Sequence, residues 1–375
     1  MRASAMRLDR TNTTIFGRWW WTVDRLNLFA LLLLIAIGSV LVTAGSPPVA
    51  KRLDLPTFYF VQRHQIFLLM GLMVMLVVSL LPPVAIRRLA VLGFCASMAL
   101  MVLVPFIGVQ TKGAHRWIDI FGLSIQPSEF MKPCFAIVTA WVCSDNHRRV
   151  DFPGYRVAIG LYLLVVGLLV IQPDIGMTLT VSAMWAIQLF ISGLPFLWVL
   201  VMIAMAVLGI FGAYHIFPHV AKRINNFLDP AAGDNYQIGR SLEAFRNGGI
   251  LGRGPGEGEV KQFIPDSHTD FIFAVAGEEF GVIACLLILG LFCFIVLRGL
   301  YRVRDQNDLF VVLAVTGVLV QFGVQSVINM GVAVNLFPAK GMTLPFLSYG
   351  GSSVVAIALG MGMMLALTRK RYGQR

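Results

Sequence analysis

The chain has 375 residues, of which 57% are hydrophobic and only 13% charged, and its net charge is +11. A soluble domain carries about a quarter charged residues, so this composition excludes a soluble enzyme and argues against a nucleic-acid binder. Apolar runs near the ~20 residues needed to cross a bilayer recur along the length, without the alternating ~10-residue segments of a transmembrane β-barrel. The predicted fold class is therefore an all-α polytopic membrane protein.

In chain order, Trp19, Trp20 and Trp21, flanked by Arg18 and Arg25, predict an interfacial anchor. Ten spans follow, near 26–44, 65–82, 88–107, 127–144, 155–172, 175–194, 196–217, 269–298, 309–333 and 346–367. The first run is too long, and too embedded in further spans, to be a cleaved signal peptide. An even count places both termini on one side. More than half of the thirty Lys and Arg lie in the short loops and tails of that side, as at Arg87–Arg88, Arg148–Arg149, Arg298–Arg304 and Arg369–Arg371. The positive-inside rule makes that side cytoplasmic. The expected organisation is a cytoplasmic tail 1–25, one ten-span domain 26–367 and a cytoplasmic tail 368–375.

The segment 218–268 is then extracytoplasmic and too long for a plain connector, so it reads as functional or partly folded. Its glycines between 248 and 258 follow no strand and precede no Gly-Lys-Ser/Thr, which argues against a nucleotide cradle; a flexible lid or turn-rich segment is the plainer reading. Cys95, Cys134, Cys143, Cys285 and Cys293 fall in or beside apolar runs with no Cys-x-x-Cys pair, and read as packing residues. His64, His147, His215 and His219 read as interfacial or loop residues.

With this topology, spans four, six, eight and ten enter the membrane from outside, and each start carries a polar motif: Gln126-Pro127-Ser128-Glu129, Gln172-Pro173-Asp174, His268-Thr269-Asp270 and Ser348-Tyr349-Gly350-Gly351. Lys112, His115, Arg116, Lys132 and Lys340 lie near them. Helix N-termini present free N–H groups and partial positive charge, so this face predicts an anion site suited to a phospho- or pyrophospho-lipid head group. Plainer readings stand beside it. Ser267-x-x-Asp270 matches a capping box, Glu129 and Lys132 sit three apart and neutralise each other, Gln172-Pro173-Asp174 is a tight turn, and Gly350-Gly351 serves helix packing. Glu278 and Glu279, inside the eighth apolar run, read as a functional signal at membrane depth or as structural hydrogen-bond acceptors.

These motifs carry a resemblance. Lys112-Gly113-Ala114-His115-Arg116-Trp117-Ile118, Gln126 to Lys132, Gln172 to Gly176, Phe227-Leu228-Asp229-Pro230, His268 to Gly281 and Phe337 to Ser353 together resemble the SEDS family (shape, elongation, division and sporulation). Lys340-Gly341 with Thr343-Leu344-Pro345 is more similar to the division branch than to the elongation branch. The resemblance implies a ten-span peptidoglycan glycosyltransferase that polymerises lipid II at the division septum. It also implies partnership with a class B penicillin-binding transpeptidase and other division proteins, in the bacterial cytoplasmic membrane and without nucleic acid. The family's essential aspartate maps onto Asp270, which would act as general base. Arg116, Lys132 and Lys340 would stabilise the leaving pyrophosphate, and Glu129, Asp174 and Ser348 complete the expected substrate contacts. A divalent cation, Mg or Mn, is a possible cofactor, although no metal-ligand spacing is visible. Met177, Arg240 and Glu243 depart from the family pattern. The rival readings are a flippase for the same lipid-linked precursor and a non-catalytic division scaffold.

Overall fold

The computed structural model describes residues 14–111, 114–120, 123–148, 151–216, 218–228, 236–338 and 341–370. The predicted anchor is a short helix, α1 (Ile15–Thr22), capped by Thr14 and tied to the bundle by Trp19 Nε1 donating to Ser79 Oγ at 2.9 Å. α2 (Arg25–Gly45), the short α3 (Pro47–Arg52), α4 (Tyr59–Ser79) and α5 (Pro83–Ile107) follow. The connection to the next helix folds into a small antiparallel sheet, β1 (Val109–Thr111), β2 (Ala114–Ile120) and β3 (Leu123–Ile125), in the order β1-β2-β3. This sheet was not expected from the sequence. The remaining helices are α6 (Pro127–Arg148), α7 (Gly154–Ile171), α8 (Ile175–Ile191), α9 (Phe196–Ile216), α10 (Pro218–Leu228), α11 (Tyr236–Gly248), α12 (Ile272–Val303), α13 (Leu309–Ala333) and α14 (Gly351–Leu367).

Seven of these, α2, α4, α5, α7, α9, α12 and α13, are long and apolar enough to cross a membrane; α8 and α14 are apolar but have 17 residues each. α6 has the length but carries Glu129 and Lys132. Its placement explains the polarity. α6 packs against α5, α13 and α14 in the middle of the bundle, and Ser128 to Ala140, apart from Phe130, is buried throughout. A helix shielded from lipid by other helices tolerates polar groups that a lipid-facing one cannot. At the rim, Leu197, Trp198, Met205 and Leu208 of α9 are exposed, as a lipid-facing helix requires. His64 corrects an expectation: it is not interfacial but fully buried within α4, beside Tyr349.

The final helix begins later than predicted, at Gly351 rather than 346. Residues 341–350 are non-helical, with Met342 and Leu344 to Ser348 buried, and Phe346 holds a left-handed backbone angle, φ 63°. Pro345 cannot donate a helical hydrogen bond, and a left-handed residue cannot continue a helix. The segment takes up depth that helix would otherwise fill, which accounts for the shortness of α14.

α12 is broken. Gly281 stands at φ 75°, ψ −176°, a region open essentially to glycine alone. The break frees two carbonyls and two amides, and the loop after α11 takes all four. Arg253 N and Gly254 N donate to Glu278 O and Glu279 O, while Val282 N and Ile283 N donate to Gly249 O and Ile250 O, at 3.0–3.3 Å. Glu278 is fully buried and accepts from Val260 N at 2.7 Å, Lys261 N at 2.8 Å and Asn247 Nδ2 at 2.8 Å. Glu279 pairs with the buried Lys261. Both carboxylates are the structural acceptors expected, and α11 and the loop after it are folded onto α12, while α10 packs on α9.

Candidate active site

α12 starts at Ile272 with Phe271 at its N-cap and no side-chain cap, so Asp270 lies just outside the helix. The capping-box expectation fails on geometry. Ser267 Oγ turns away and donates to Gly45 O at 3.0 Å, bracing the turn against the end of α2. Arg52 adds a second brace by donating to Ile264 O and Pro265 O. Asp270 is half-buried. Its backbone carbonyl accepts from Asn329 Nδ2 at 2.9 Å. Its carboxylate lies against residue 341, where an added Cβ would stand 2.8 Å from Oδ2. Glycine at 341 is what allows the carboxylate to approach that backbone.

Buried non-helical backbone must find partners or cost several kcal/mol for each group left unpaired. For residues 342–349 the partners are side chains and backbone of the neighbouring elements. Asn329 Nδ2 also donates to Met342 O at 2.5 Å, and Gln325 Nε2 donates to Thr343 O at 2.9 Å. Ser348 Oγ accepts from Leu344 N at 2.8 Å and donates to Thr269 O at 2.5 Å, and Tyr349 N donates to His268 O at 2.8 Å. Ser348 therefore joins the two strips of chain, 268–270 and 342–349, that frame Asp270. Gly351 serves close packing as expected, since an added Cβ would stand 2.7 Å from the Phe67 ring.

Lys132 is fully buried. Its Nζ pairs with Glu129 at 2.9 Å and donates to Gln325 Oε1 at 2.8 Å. The neutralising Glu129–Lys132 pair expected from the spacing is present, and it also reaches further. Lys132 fixes the amide of Gln325, whose other end holds Thr343 O, so α6 is linked through α13 to the segment that packs on Asp270. Sequence analysis missed Gln325 and Asn329. Their signal was legible, because Gln321, Gln325 and Asn329 recur every four residues in an otherwise apolar helix and so share one face.

Arg116 and Asp174 form a separate unit. Arg116 Nη1 stands 3.6 Å from Asp174 Oδ2, while Nε and Nη2 donate to Gln172 O at 3.1 Å and Pro173 O at 2.5 Å. Asp174 also caps α8, accepting from Met177 N at 3.3 Å. Gln172 donates to Met101 O at 2.9 Å. The Gln-Pro-Asp motif is thus a turn and a cap, and the start of α8 is occupied by the chain itself. None of the contacts just given joins this pair to the Asp270 network. Lys112 and Lys340 lie outside the described residues, as does the side chain of His115. Among the described residues, no group of three or more His, Cys, Asp or Glu is placed to hold a metal ion.

At the opposite end of α2, Asp24 is buried and receives Arg302 Nε at 2.8 Å and Arg298 Nε at 3.1 Å. Burial raises its pKa, but hydrogen bonds and charge from Arg302 and Arg298 outweigh that and hold it below the ordinary 3.8.

The family model FTSW_RODA_SPOVE, described as a cell cycle protein, matches residues 24–373. A "Probable peptidoglycan glycosyltransferase FtsW" of Caulobacter vibrioides is 43% identical over 97% of this chain and 94% of its own length. One of Trichlorobacter lovleyi is 36% identical over 92% and 93%. Among solved structures, a chain from a peptidoglycan synthase complex that coordinates polymerization and crosslinking superposes with a TM-score of 0.78 at 29% identity, covering 95% of this chain and all of that one. The rod shape determining protein RodA of Thermus thermophilus superposes with a TM-score of 0.70 at 27% identity, covering 95% and 99%. The shared motifs, the multi-span helical fold and these matches together establish that the chain belongs to the FtsW, RodA and SpoVE family of cell cycle proteins.

Proposed function

We propose that the chain is a peptidoglycan glycosyltransferase that polymerises lipid II at the outer face of the bacterial cytoplasmic membrane during division, with Asp270 as general base. In this reading ten helices span the bilayer: the seven long apolar ones, the shorter α8 and α14, and α6. Both termini are cytoplasmic and the Asp270 end is outside. The names carried by the relatives support the activity. The observation that carries the site is the seating of Asp270: a half-buried carboxylate outside its helix, against a glycine backbone and beside the largely buried 342–349 segment.

The 4-hydroxyl of one lipid II attacks C1 of the sugar of another. The hydroxyl proton passes to Asp270, the new C1–O bond forms with inversion, and the bond to undecaprenyl pyrophosphate breaks. A hydroxyl is a weak nucleophile, and a positioned base contributes about 10²–10⁴-fold. Arg116 and Lys340 are the proposed cations for the departing pyrophosphate, with Asp174 orienting Arg116, and Lys132 with Glu129 supports the site from behind. Lys132, buried and matched by Glu129, acts through Gln325 by holding the 342–349 segment, and the buried Ser348 acts through the frame it holds. Among the described residues there is no cage for Mg or Mn. A divalent cation would have to arrive on the pyrophosphate, taking substrate oxygens and one or two carboxylates as ligands, and no step above depends on it.

The partner we propose is a class B penicillin-binding transpeptidase of the division machinery, because a structural neighbour works in a complex that couples polymerization to crosslinking. One feature favours the flippase reading: a broken helix often marks a transporter's site. Here the freed backbone of α12 and both of its carboxylates are taken by residues 247–261, which leaves that break filled with protein and favours chemistry at Asp270.

The test is to supply lipid II and Mg or Mn to the purified protein with its transpeptidase and to resolve glycan strands on a gel. Wild type should polymerise, and Asp270→Asn should lose at least about 100-fold while melting at the same temperature. Full activity in a folded Asp270→Asn protein would refute the base assignment. Absence of polymer in both, with lipid II crossing liposome membranes, would favour the flippase.

A further inference from the structure

A cavity of about 1040 Å³ opens at the end of the bundle away from Asp270, lined by Arg18, Arg25, Arg298, Arg302, Arg369 and Lys370. The two ends are bridged by α2, whose 21 residues span about 30 Å. Asp24 is the one carboxylate among the described residues that line the cavity. Four of the six cations are held in place, and Arg18 and Lys370 are exposed at the cavity's edge. Arg298 and Arg302 are fixed by Asp24, Arg369 donates to Thr22 Oγ1 at 3.0 Å and Leu80 O at 3.1 Å, and Arg25 donates to Trp20 O at 3.1 Å while stacking over Trp20 and Trp21. Six guanidinium and ammonium groups facing one carboxylate repel one another unless an anion enters. Fixing four of them in advance removes part of the ordering cost of binding one.

The cavity also has an apolar side. Leu26 lines it and is 52% exposed, and Phe29, one turn further along α2, is 66% exposed. The three tryptophans of α1 lie at the same level, where aromatic residues mark the lipid–water boundary. A cationic pocket that opens onto lipid-facing helix fits a ligand with a phosphate head and acyl tails. Free phosphate satisfies the charges but leaves Leu26 and Phe29 unused.

We propose that this cavity binds the phosphate head group of an anionic membrane phospholipid, with the acyl chains lying along α2. Basic pockets between helices at a membrane face recognise such head groups in general. The proposal rests on the multi-span reading and not on glycosyl transfer.

The test uses the full-length protein in detergent, titrated with phosphatidylglycerol, with phosphatidylcholine of the same acyl chains, and with inorganic phosphate. The readouts are melting temperature and intrinsic tryptophan fluorescence, to which Trp21 contributes from the cavity lining. Phosphatidylglycerol should bind saturably, phosphatidylcholine should not, and binding should weaken with salt. The double variant Arg18→Gln/Lys370→Gln removes two lining charges that take no part in the Asp24 cluster. It should weaken phosphatidylglycerol binding by about tenfold or more with its lipid-free melting temperature unchanged. Lys222→Gln/Arg246→Gln, which removes two charges of the 218–268 segment, should bind as wild type does. Equal binding by wild type and the Arg18/Lys370 variant, or equal affinity for phosphatidylcholine, would overturn the proposal. Saturation by inorganic phosphate as tight as by phosphatidylglycerol would overturn the lipid assignment.

Discussion

Replacing Glu278 by alanine should undock the 249–264 segment from α12 while leaving the bundle assembled. The carboxylate is fully buried and takes three donors at 2.7–2.8 Å: Val260 N, Lys261 N and Asn247 Nδ2. Hydrogen bonds to a charged acceptor contribute about 1.5–3 kcal/mol each, and the cost of dehydrating a buried carboxylate offsets several kcal/mol of that sum. A net loss of about 3 kcal/mol is expected, which is roughly a 100-fold increase in the population of the opened segment. Lys261 is 4% exposed, so tryptic cleavage after it requires that opening. In Glu278→Ala, cleavage after Lys261 should be about 100-fold faster than in wild type at low protease. Glu278→Gln keeps the oxygen that serves Val260 and Asn247 but turns an NH₂ toward the Lys261 amide, so its rate should fall between the two. An unchanged rate in a folded Glu278→Ala protein would show that the backbone pairing at the Gly281 break holds the segment without the carboxylate.

Three further outcomes follow from the geometry. Gly341→Ala places a methyl 2.8 Å from Asp270 Oδ2; glycan synthesis should fall about 10- to 100-fold, the scale of a displacement near 1 Å, with a melting temperature close to wild type. Gly281→Ala puts a Cβ 2.3 Å from Ile250 O at φ 75° and should destabilise the protein by about 1–3 kcal/mol from backbone strain alone, read as a lower melting temperature. Asp24 has a folded pKa held below 3.8, so its contribution to stability is full above that value and is lost as pH falls through the lower folded value. The difference in melting temperature between wild type and Asp24→Asn should therefore be constant from about pH 5 to pH 8 and close only in stronger acid.

Much of this architecture was legible in the sequence because crossing a bilayer constrains length and hydropathy directly. Every predicted span overlaps a helix, and the polar motifs at 126–129, 172–174, 268–270 and 348–351 fall at helix starts, where backbone amides lack partners within the helix. Even the pairing of Glu129 with Lys132 followed from helical spacing. The extra link from Lys132 to Gln325, and from there to Thr343, did not, because no local rule says which of several polar side chains in an apolar helix will face another helix. His64 was misplaced for the same reason, since hydropathy does not distinguish a buried histidine from an interfacial one.

By itself, then, the sequence determined that this is a helical, multi-span protein of one recognisable family, with ionisable groups gathered at helix starts. Tertiary structure decided which of those groups belong together: Asp270 with Gly341, Asn329 and the Ser348 frame, and Arg116 with Asp174 as a cap and turn. It also decided that α12 breaks at Gly281. A glycine in an apolar run is compatible with unbroken helix, and the break is sustained only because residues 249–254, some thirty positions earlier, return to satisfy the four backbone groups it exposes. Local pattern follows from what each residue avoids, whereas a buried polar group depends on a partner that only the folded chain brings within reach.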